Sequence, residues 1–235
     1  MKDEVSIQRE YYERTSVNFD NMHLHPLDAH ELALSAFSGL AQRFPHKSFL
    51  DIGAGTGRSV SFLTRQFPSS RVVGIEPAPA QRAQAYAKGI SRNVLVEGDA
   101  LNLPFENDEF DWVVETGVLH HIRNFRKAVT EMCRVARQGV MISDSNNLAQ
   151  GGGLAKFLKR TIKSAGLWPL VVHIQTRGKG YKVSEGDGVF YSFCAFDCVD
   201  IVKQKFPRIH YMNTEEAAPC LNRSAGHVMI LARQC

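Results

Sequence analysis

The chain has 235 residues, 44% of them apolar and 22% charged, with a formal net charge of +4. That length supports one sizeable core, or one domain with an insertion, in ordinary globular proportions. The charge is too small to argue for nucleic acid alone, and no apolar run approaches the length of a bilayer span.

The first 27 residues are polar and aromatic, with Tyr11, Tyr12, Phe19, His23 and His25. They read as a helix and loop outside the main core. The opening MKDEVSIQREYYERTS carries both charge signs and no apolar h-region, so no signal peptide is expected. From Asp28 to Phe44, Leu32, Leu34, Ala36, Phe37, Leu40 and Ala41 fall near helical spacing, with Asp28 placed to cap the helix. SFLDIG then reads as a buried strand and GRSVSFLTRQF as a helix. The rhythm repeats: strand RVVGIE (71–76), helix APAQRAQAYAKGI (78–90), strand NVLVEGD (93–99), strand EFDWVVET (109–116), helix 124–137 and strand GVMISDS (139–145). Short apolar runs alternating with helices predict an α/β fold with both faces of the sheet covered.

From Asn146 to about Tyr191 the rhythm breaks. QGGG (150–153) is a flexible joint, LAKFLKRTIKSAGL (154–167) a short amphipathic helix, and TRGKGYKVSEGDG (176–188) a glycine-rich loop or hairpin. A helix over 193–206 follows, then strands 208–213 and 226–233 as an antiparallel pair closing the sheet. The whole reads as one Rossmann-like, doubly wound domain. Its sheet is mostly parallel and seven-stranded, with an antiparallel edge strand. Residues 1–44 form an N-terminal helical cap, 45–145 a core, and 146–191 a lid-like insertion. The five cysteines are Cys133, Cys194, Cys198, Cys220 and Cys235, with no C-x-x-C pair. Reduced thiols in a cytoplasmic protein are the expectation. Cys194 and Cys198 would share one helix face.

The chemistry concentrates in DIGAGTGRS, 51–59, where Gly53, Gly55 and Gly57 alternate directly after an apolar strand. A P-loop requires a lysine that is missing here, and a dinucleotide fingerprint requires its third glycine one residue later. What remains is an acidic residue, Asp51, followed by three alternate glycines. Three further features follow in order. Strand 71–76 ends in Glu76, strand 93–99 in Gly98-Asp99-Ala100, and strand 109–116 in ETGVLHHI (115–122).

This set resembles the motifs of the class I S-adenosylmethionine-dependent methyltransferases, in the small-molecule, methyltransferase type 11-like branch, over about residues 45–145. The resemblance implies S-adenosyl-L-methionine as cofactor and S-adenosyl-L-homocysteine as its product. It places Asp51, Gly53, Ala54, Gly55 and Gly57 around the cofactor, with Glu76 and Pro77 at the ribose. Asp99 and Ala100 would meet the adenine, and Glu115, Thr116 and Gly117 the ammonium and methyl end. Tyr12, on the cap, would meet the methionine carboxylate or the acceptor. For catalysis the candidates are His121 and, secondarily, His120, which follow the fourth strand at the sheet edge where open α/β folds bind ligands. Asp144, at the end of the fifth strand, is a third. No metal site is expected.

Seven basic residues and no acidic one lie between Asp144 and Glu185: Lys156, Lys159, Arg160, Lys163, Arg177, Lys179 and Lys182. They read as a solvated helix face, as a lid recruiting an anionic acceptor bearing phosphate or carboxylate, or as a basic amphipathic helix on a membrane surface, against which the short segment and modest apolar face count. The leading expectation is methylation of O, N or C of a small molecule. The alternatives are an RNA or protein methyltransferase using the basic insertion, and a cofactor-binding regulatory protein without turnover. No N-P-P-Y-type tetrapeptide follows the fourth strand, so a nucleic-acid partner is disfavoured.

Overall fold

A computed structural model describes residues 4–215, 220–221 and 223–235. Before the sheet come helices α1 (Glu4–Thr15), α2 (Phe19–His23) and α3 (Ala29–Ala41). The predicted cap of α3 is present: the Asp28 carboxylate accepts from the amides of His30 and Glu31 at 3.0 and 2.9 Å. Strand and helix then alternate as β1 (Ser48–Ile52), α4 (Arg58–Gln66), β2 (Arg71–Ile75), α5 (Pro79–Ala87), β3 (Leu95–Val96), β4 (Phe110–Thr116), α6 (Phe125–Val135) and β5 (Ala136–Ser145). Next come α7 (Gly153–Ser164), α8 (Trp168–Gln175) and the hairpin β6 (Tyr181–Ser184) and β7 (Gly188–Tyr191). The described chain ends with α9 (Val199–Lys205), β8 (Arg208–Asn213) and β9 (His227–Arg233).

The main sheet has seven strands in the order β3-β2-β1-β4-β5-β9-β8. Strands β1 to β5 are parallel, and β9 runs antiparallel to both β5 and β8, closing that side of the sheet as expected. Chain order reverses between β1 and β4, which opens a crevice beyond the carboxyl ends of the strands.

Both sheet faces are dry because successive side chains point to opposite sides. On one face Leu50, Ile52 and Val113 pack with Val129 and Met132 of α6 and Val202 of α9. On the other, Phe49, Trp112 and Val114 pack with Leu34 and Phe37 of α3 and Leu63 of α4. The Trp112 indole nitrogen donates to the Pro45 carbonyl at 2.9 Å, so its one polar atom is satisfied inside the core.

Several elements differ from their sequence reading. The third strand is only Leu95–Val96. The Asp99 carboxylate accepts from the Leu101 amide at 2.9 Å and turns the chain out of the sheet. The run WPLVVHIQ, to which the sequence reading assigned no element, is a helix, α8, with a proline in its first turn, where the missing amide costs nothing. The 193–206 helix begins late: Cys194 pairs with Asn146 as an isolated bridge, and a 3₁₀ turn over Ala195–Cys198 precedes α9. Cys194 and Cys198 therefore share no helix face. Nor is the N-terminal segment outside the packed body. Tyr11 is 4% exposed, and its hydroxyl donates to the Gly186 carbonyl at 2.8 Å, tying α1 to the hairpin.

Candidate active site

A cavity of about 330 Å³ lies in the crevice beyond β1, β2, β3 and β4. Its floor is the turn after β1. Gly53, Gly55 and Gly57 have φ of 65°, 54° and 90°, in the left-handed region that glycine enters without steric cost. A Cβ at Gly53 would lie 2.5 Å from Val118, so bare backbone is needed there for packing. At Gly55 the nearest atom to such a Cβ is 4.0 Å away. Gly55 thus presents open backbone at the cavity wall.

The carboxylate of Glu76 stands across this turn. It accepts from the Gly55 amide at 3.0 Å and the Ala78 amide at 2.7 Å. Burial pushes its pKa up to about 7, against the pull of those two amides and of Arg82. Asp51 points to the α3–α4 side of the sheet and is 1% exposed. Neither of its oxygens makes a hydrogen bond of normal geometry. Burial first, and the nearby Glu76 second, raise its pKa well above the usual range; the Val60 amide offsets this only in part. Two buried acids side by side, with Asp51 unpartnered, form a site short of positive charge.

Of the residues singled out in the sequence, Tyr12, Gly53, Ala54, Gly55, Glu76, Pro77, Asp99, Ala100, Thr116, Gly117, His120 and His121 line this cavity. Four do not, for structural reasons. Asp51 lies beneath the turn. Gly57 starts α4, and a Cβ there would meet Ile90 at 2.0 Å. The Glu115 carboxylate is buried and accepts from the amides of Val118 and Leu119, shaping the following turn. Asp144 is wholly buried and reaches the cavity only through His120.

That last contact belongs to a chain of ionisable groups. Asp144 lies 2.7 Å from His120 Nδ1, and His120 Nε2 lies 3.3 Å from Asp187 on the hairpin turn between β6 and β7. His121 Nε2 is 3.3 Å from the other Asp187 oxygen, and His121 Nδ1 faces the Val189 carbonyl. Burial lowers the His120 pKa, but the two carboxylates outweigh it and hold it well above the ordinary value. Both aspartates are correspondingly held low against their own burial, Asp144 by His120 and Asp187 by both histidines. At neutral pH His120 is therefore an imidazolium between two carboxylates. At His121 the Val189 carbonyl only accepts, so Nδ1 carries a hydrogen, and Nε2 is the nitrogen that faces Asp187. Potential ligand atoms of His120, His121 and Asp187 also lie within 4.8 Å of one another, close enough to surround a metal ion.

Asp187 was not visible as a site residue in the sequence, although its setting between Gly186 and Gly188 marked a tight turn. His30 was also missed. It lines the cavity beneath Gly117, and burial, then the charge of His227, pull its pKa down to about 3, so it stays neutral.

A second cavity, of about 700 Å³, lies under α7, α8 and the hairpin. Leu158, Ile162, Trp168, Tyr181, Phe190 and Phe193 give it an apolar and aromatic lining, with Lys159 and Lys182 also on the wall. The Lys159 ammonium donates to the carbonyls of Asn147 and Gln150 at 2.8 and 3.0 Å, which uses two of its three donors. His120 and Asp187 line both cavities.

Residues 50–143 match the family described as Methyltransferase domain. Over 95 residues the chain is 38% identical to a demethylmenaquinone methyltransferase of Roseiflexus sp. (strain RS-1), covering 40% of each protein. It is 34% identical over 100 residues to a norajmaline N-methyltransferase of Rauvolfia serpentina, covering 41% of this chain and 34% of that one. The matches thus span well under half the length of these relatives. Among solved structures, an S-adenosylmethionine-dependent methyltransferase from Mesorhizobium loti superposes with a TM-score of 0.56 at 14% identity. That superposition covers 88% of this chain and 98% of the other, and it shows a shared fold.

Proposed function

We propose that this chain, whose residues 50–143 match the Methyltransferase domain family, is a class I S-adenosylmethionine-dependent methyltransferase that methylates a small-molecule acceptor losing a proton during transfer. The observation that carries this reading is the shared wall: one cavity at the strand ends and one under the lid meet at His120 and Asp187.

The residues of the first cavity fit the cofactor. Glu76 retains lone pairs for two ribose hydroxyls, Asp99 stands at the cavity edge beside Ala100, and Gly55 lets a ligand approach the backbone. Burial raises the pKa of both Asp51 and Glu76, so a positive charge brought into the cavity favours their ionised forms and is favoured by them in return. When bound, the cofactor supplies a methyl group already activated on positively charged sulfur. The main task of the protein is then to hold the acceptor atom in line with that methyl.

The acceptor occupies the lid cavity. Its aromatic walls suit an apolar body, and Lys159, with one donor left, suits an anionic group. Burial, then Lys182 and Lys156, lower the Lys159 pKa, and a bound anion relieves that strain. The acceptor proton passes to Nε2 of His121, and Asp187 stabilises the imidazolium that forms. His120, already charged and anchored by Asp144, fixes the position of Asp187.

The test is methyl transfer from labelled cofactor into a pool of small-molecule extracts, repeated with His121→Ala. The variant is expected to bind S-adenosylhomocysteine normally and to lose about 10²- to 10⁴-fold in kcat, the usual contribution of a positioned base. Activity is expected to survive chelators. Loss of activity on chelation, restored by a divalent metal, would instead assign the His120–His121–Asp187 group to metal binding. Unchanged kcat in His121→Ala would remove the base from the mechanism.

A further inference from the structure

The lid carries an outer surface that catalysis does not use. On α7 and α8 the side chains of Leu158, Ile162, Val171 and Val172 turn inward to the lid cavity. The neighbouring stripe points to solvent: Leu154 is 73% exposed, Phe157 63%, Leu170 57% and Ile174 66%. Leu158 joins the two stripes, since it lines the cavity and is still 48% exposed. Large apolar side chains held in water on two consecutive helices mark an interaction surface.

The charge around this surface selects its occupant. From Ser145 to Ser184 the chain has seven lysines and arginines and no aspartate or glutamate. Lys163 is paired with Asp197, and Arg160 donates to the Arg223 carbonyl. Lys156, Arg177 and Lys179 have no ion-pair partner among the described residues. A second copy of this chain would bring the same basic surface against itself, and like charges would oppose the contact. Exposed apolar side chains among unopposed cations are the pattern of a helix lying in the interface of an anionic bilayer. No helix among the described residues is long and apolar enough to cross a membrane, so the contact is in the plane of the surface.

We propose that α7 and α8 dock the protein on an anionic phospholipid surface, with Leu154, Phe157, Leu170 and Ile174 entering the headgroup boundary. The rim at Leu158 then opens the lid cavity toward the bilayer, and the acceptor is an amphiphile drawn from it. The identity of the acceptor rests on the methyl-transfer reading above; the membrane contact does not.

Flotation of the full chain with lipid vesicles tests this. Equimolar phosphatidylcholine and phosphatidylglycerol vesicles are expected to carry the protein, pure phosphatidylcholine vesicles to carry far less, and added salt to release it. The double variant Phe157→Glu/Leu170→Glu touches neither cavity. It is expected to lose about tenfold or more in vesicle partitioning while keeping its melting temperature and its heat of S-adenosylhomocysteine binding. Equal binding to both vesicle types, no binding to either, or wild-type partitioning by the variant overturns the proposal. So does a wild-type dimer that the variant converts to monomer without any vesicle effect. Because cofactor binding is read separately, failure of the membrane contact and failure of the methyl-transfer reading give different results.

Discussion

Glu76 concentrates the electrostatics of the strand-end cavity in one side chain. Its pKa is raised to about 7 by burial, so ionising it costs stability in the unliganded chain as pH rises from the ordinary carboxyl range toward 7. Two ribose hydroxyls donating to this carboxylate favour its ionised form. Binding of S-adenosylhomocysteine is therefore expected to tighten about tenfold between pH 6 and pH 8, following the ionised fraction. Calorimetry in buffers of different ionisation heat will show proton release on binding. In Glu76→Gln the pH dependence disappears. An affinity independent of pH in the wild type would contradict the proposed role.

The two glycines of the turn separate packing from binding. Gly53→Ala places a methyl group 2.5 Å from Val118 at positive φ, and is expected to unfold the protein at lower denaturant. Gly55→Ala meets open space. It is expected to cost only the left-handed strain of about 1–2 kcal/mol while abolishing detectable cofactor binding. Equal effects of the two on binding and on stability would remove this distinction. The glycines themselves were legible in the sequence, as were Glu76 and Asp99, because strand ends fix where such residues emerge. Asp187 was not. Its closeness to His120 and His121 depends on a hairpin folding back across 66 residues of chain, which no local pattern encodes.

Among the elements, the cap and the lid lock together. The Tyr11 hydroxyl donates to Gly186, and the Val189 amide donates to Gln8 across the base of the hairpin that carries Asp187. Tyr11→Phe leaves the Gly186 carbonyl without that donor, a loss of about 1 kcal/mol. Hydrogen exchange at residues 186–191 is expected to speed up about fivefold on that scale, while β1, β4 and β5 keep their protection. Uniform acceleration across the sheet would mean that the latch holds the whole fold rather than the lid. The sequence showed the strands and helices of the core because their apolar periodicity is long and regular. It hid α8, since a run of Trp, Leu, Val and Ile serves a buried strand as well as a half-covered helix. It also overextended the third strand, because the turn at Asp99 depends on a side-chain hydrogen bond rather than on hydrophobicity.

At the scale of the molecule, sheet order places every strand-end residue on one rim. The order β3-β2-β1-β4 gathers Glu76, Asp99, the glycine turn and the LHH turn around one crevice. The segment from α7 to β7 reaches that crevice through Asp187 and lines a cavity of its own. The parallel core was readable from the alternation of elements. The meeting of two cavities at His120 and Asp187 was not, because it arises from the packing of three segments distant in sequence. The most direct measurement is isothermal calorimetry of the full chain with S-adenosylhomocysteine and, separately, with NAD. One-to-one binding of the first, weakened about tenfold at pH 8 in Glu76→Gln and absent for NAD, is the expected result. Heat with NAD and none with S-adenosylhomocysteine would contradict the assignment of the crevice and, with it, the proposed reaction.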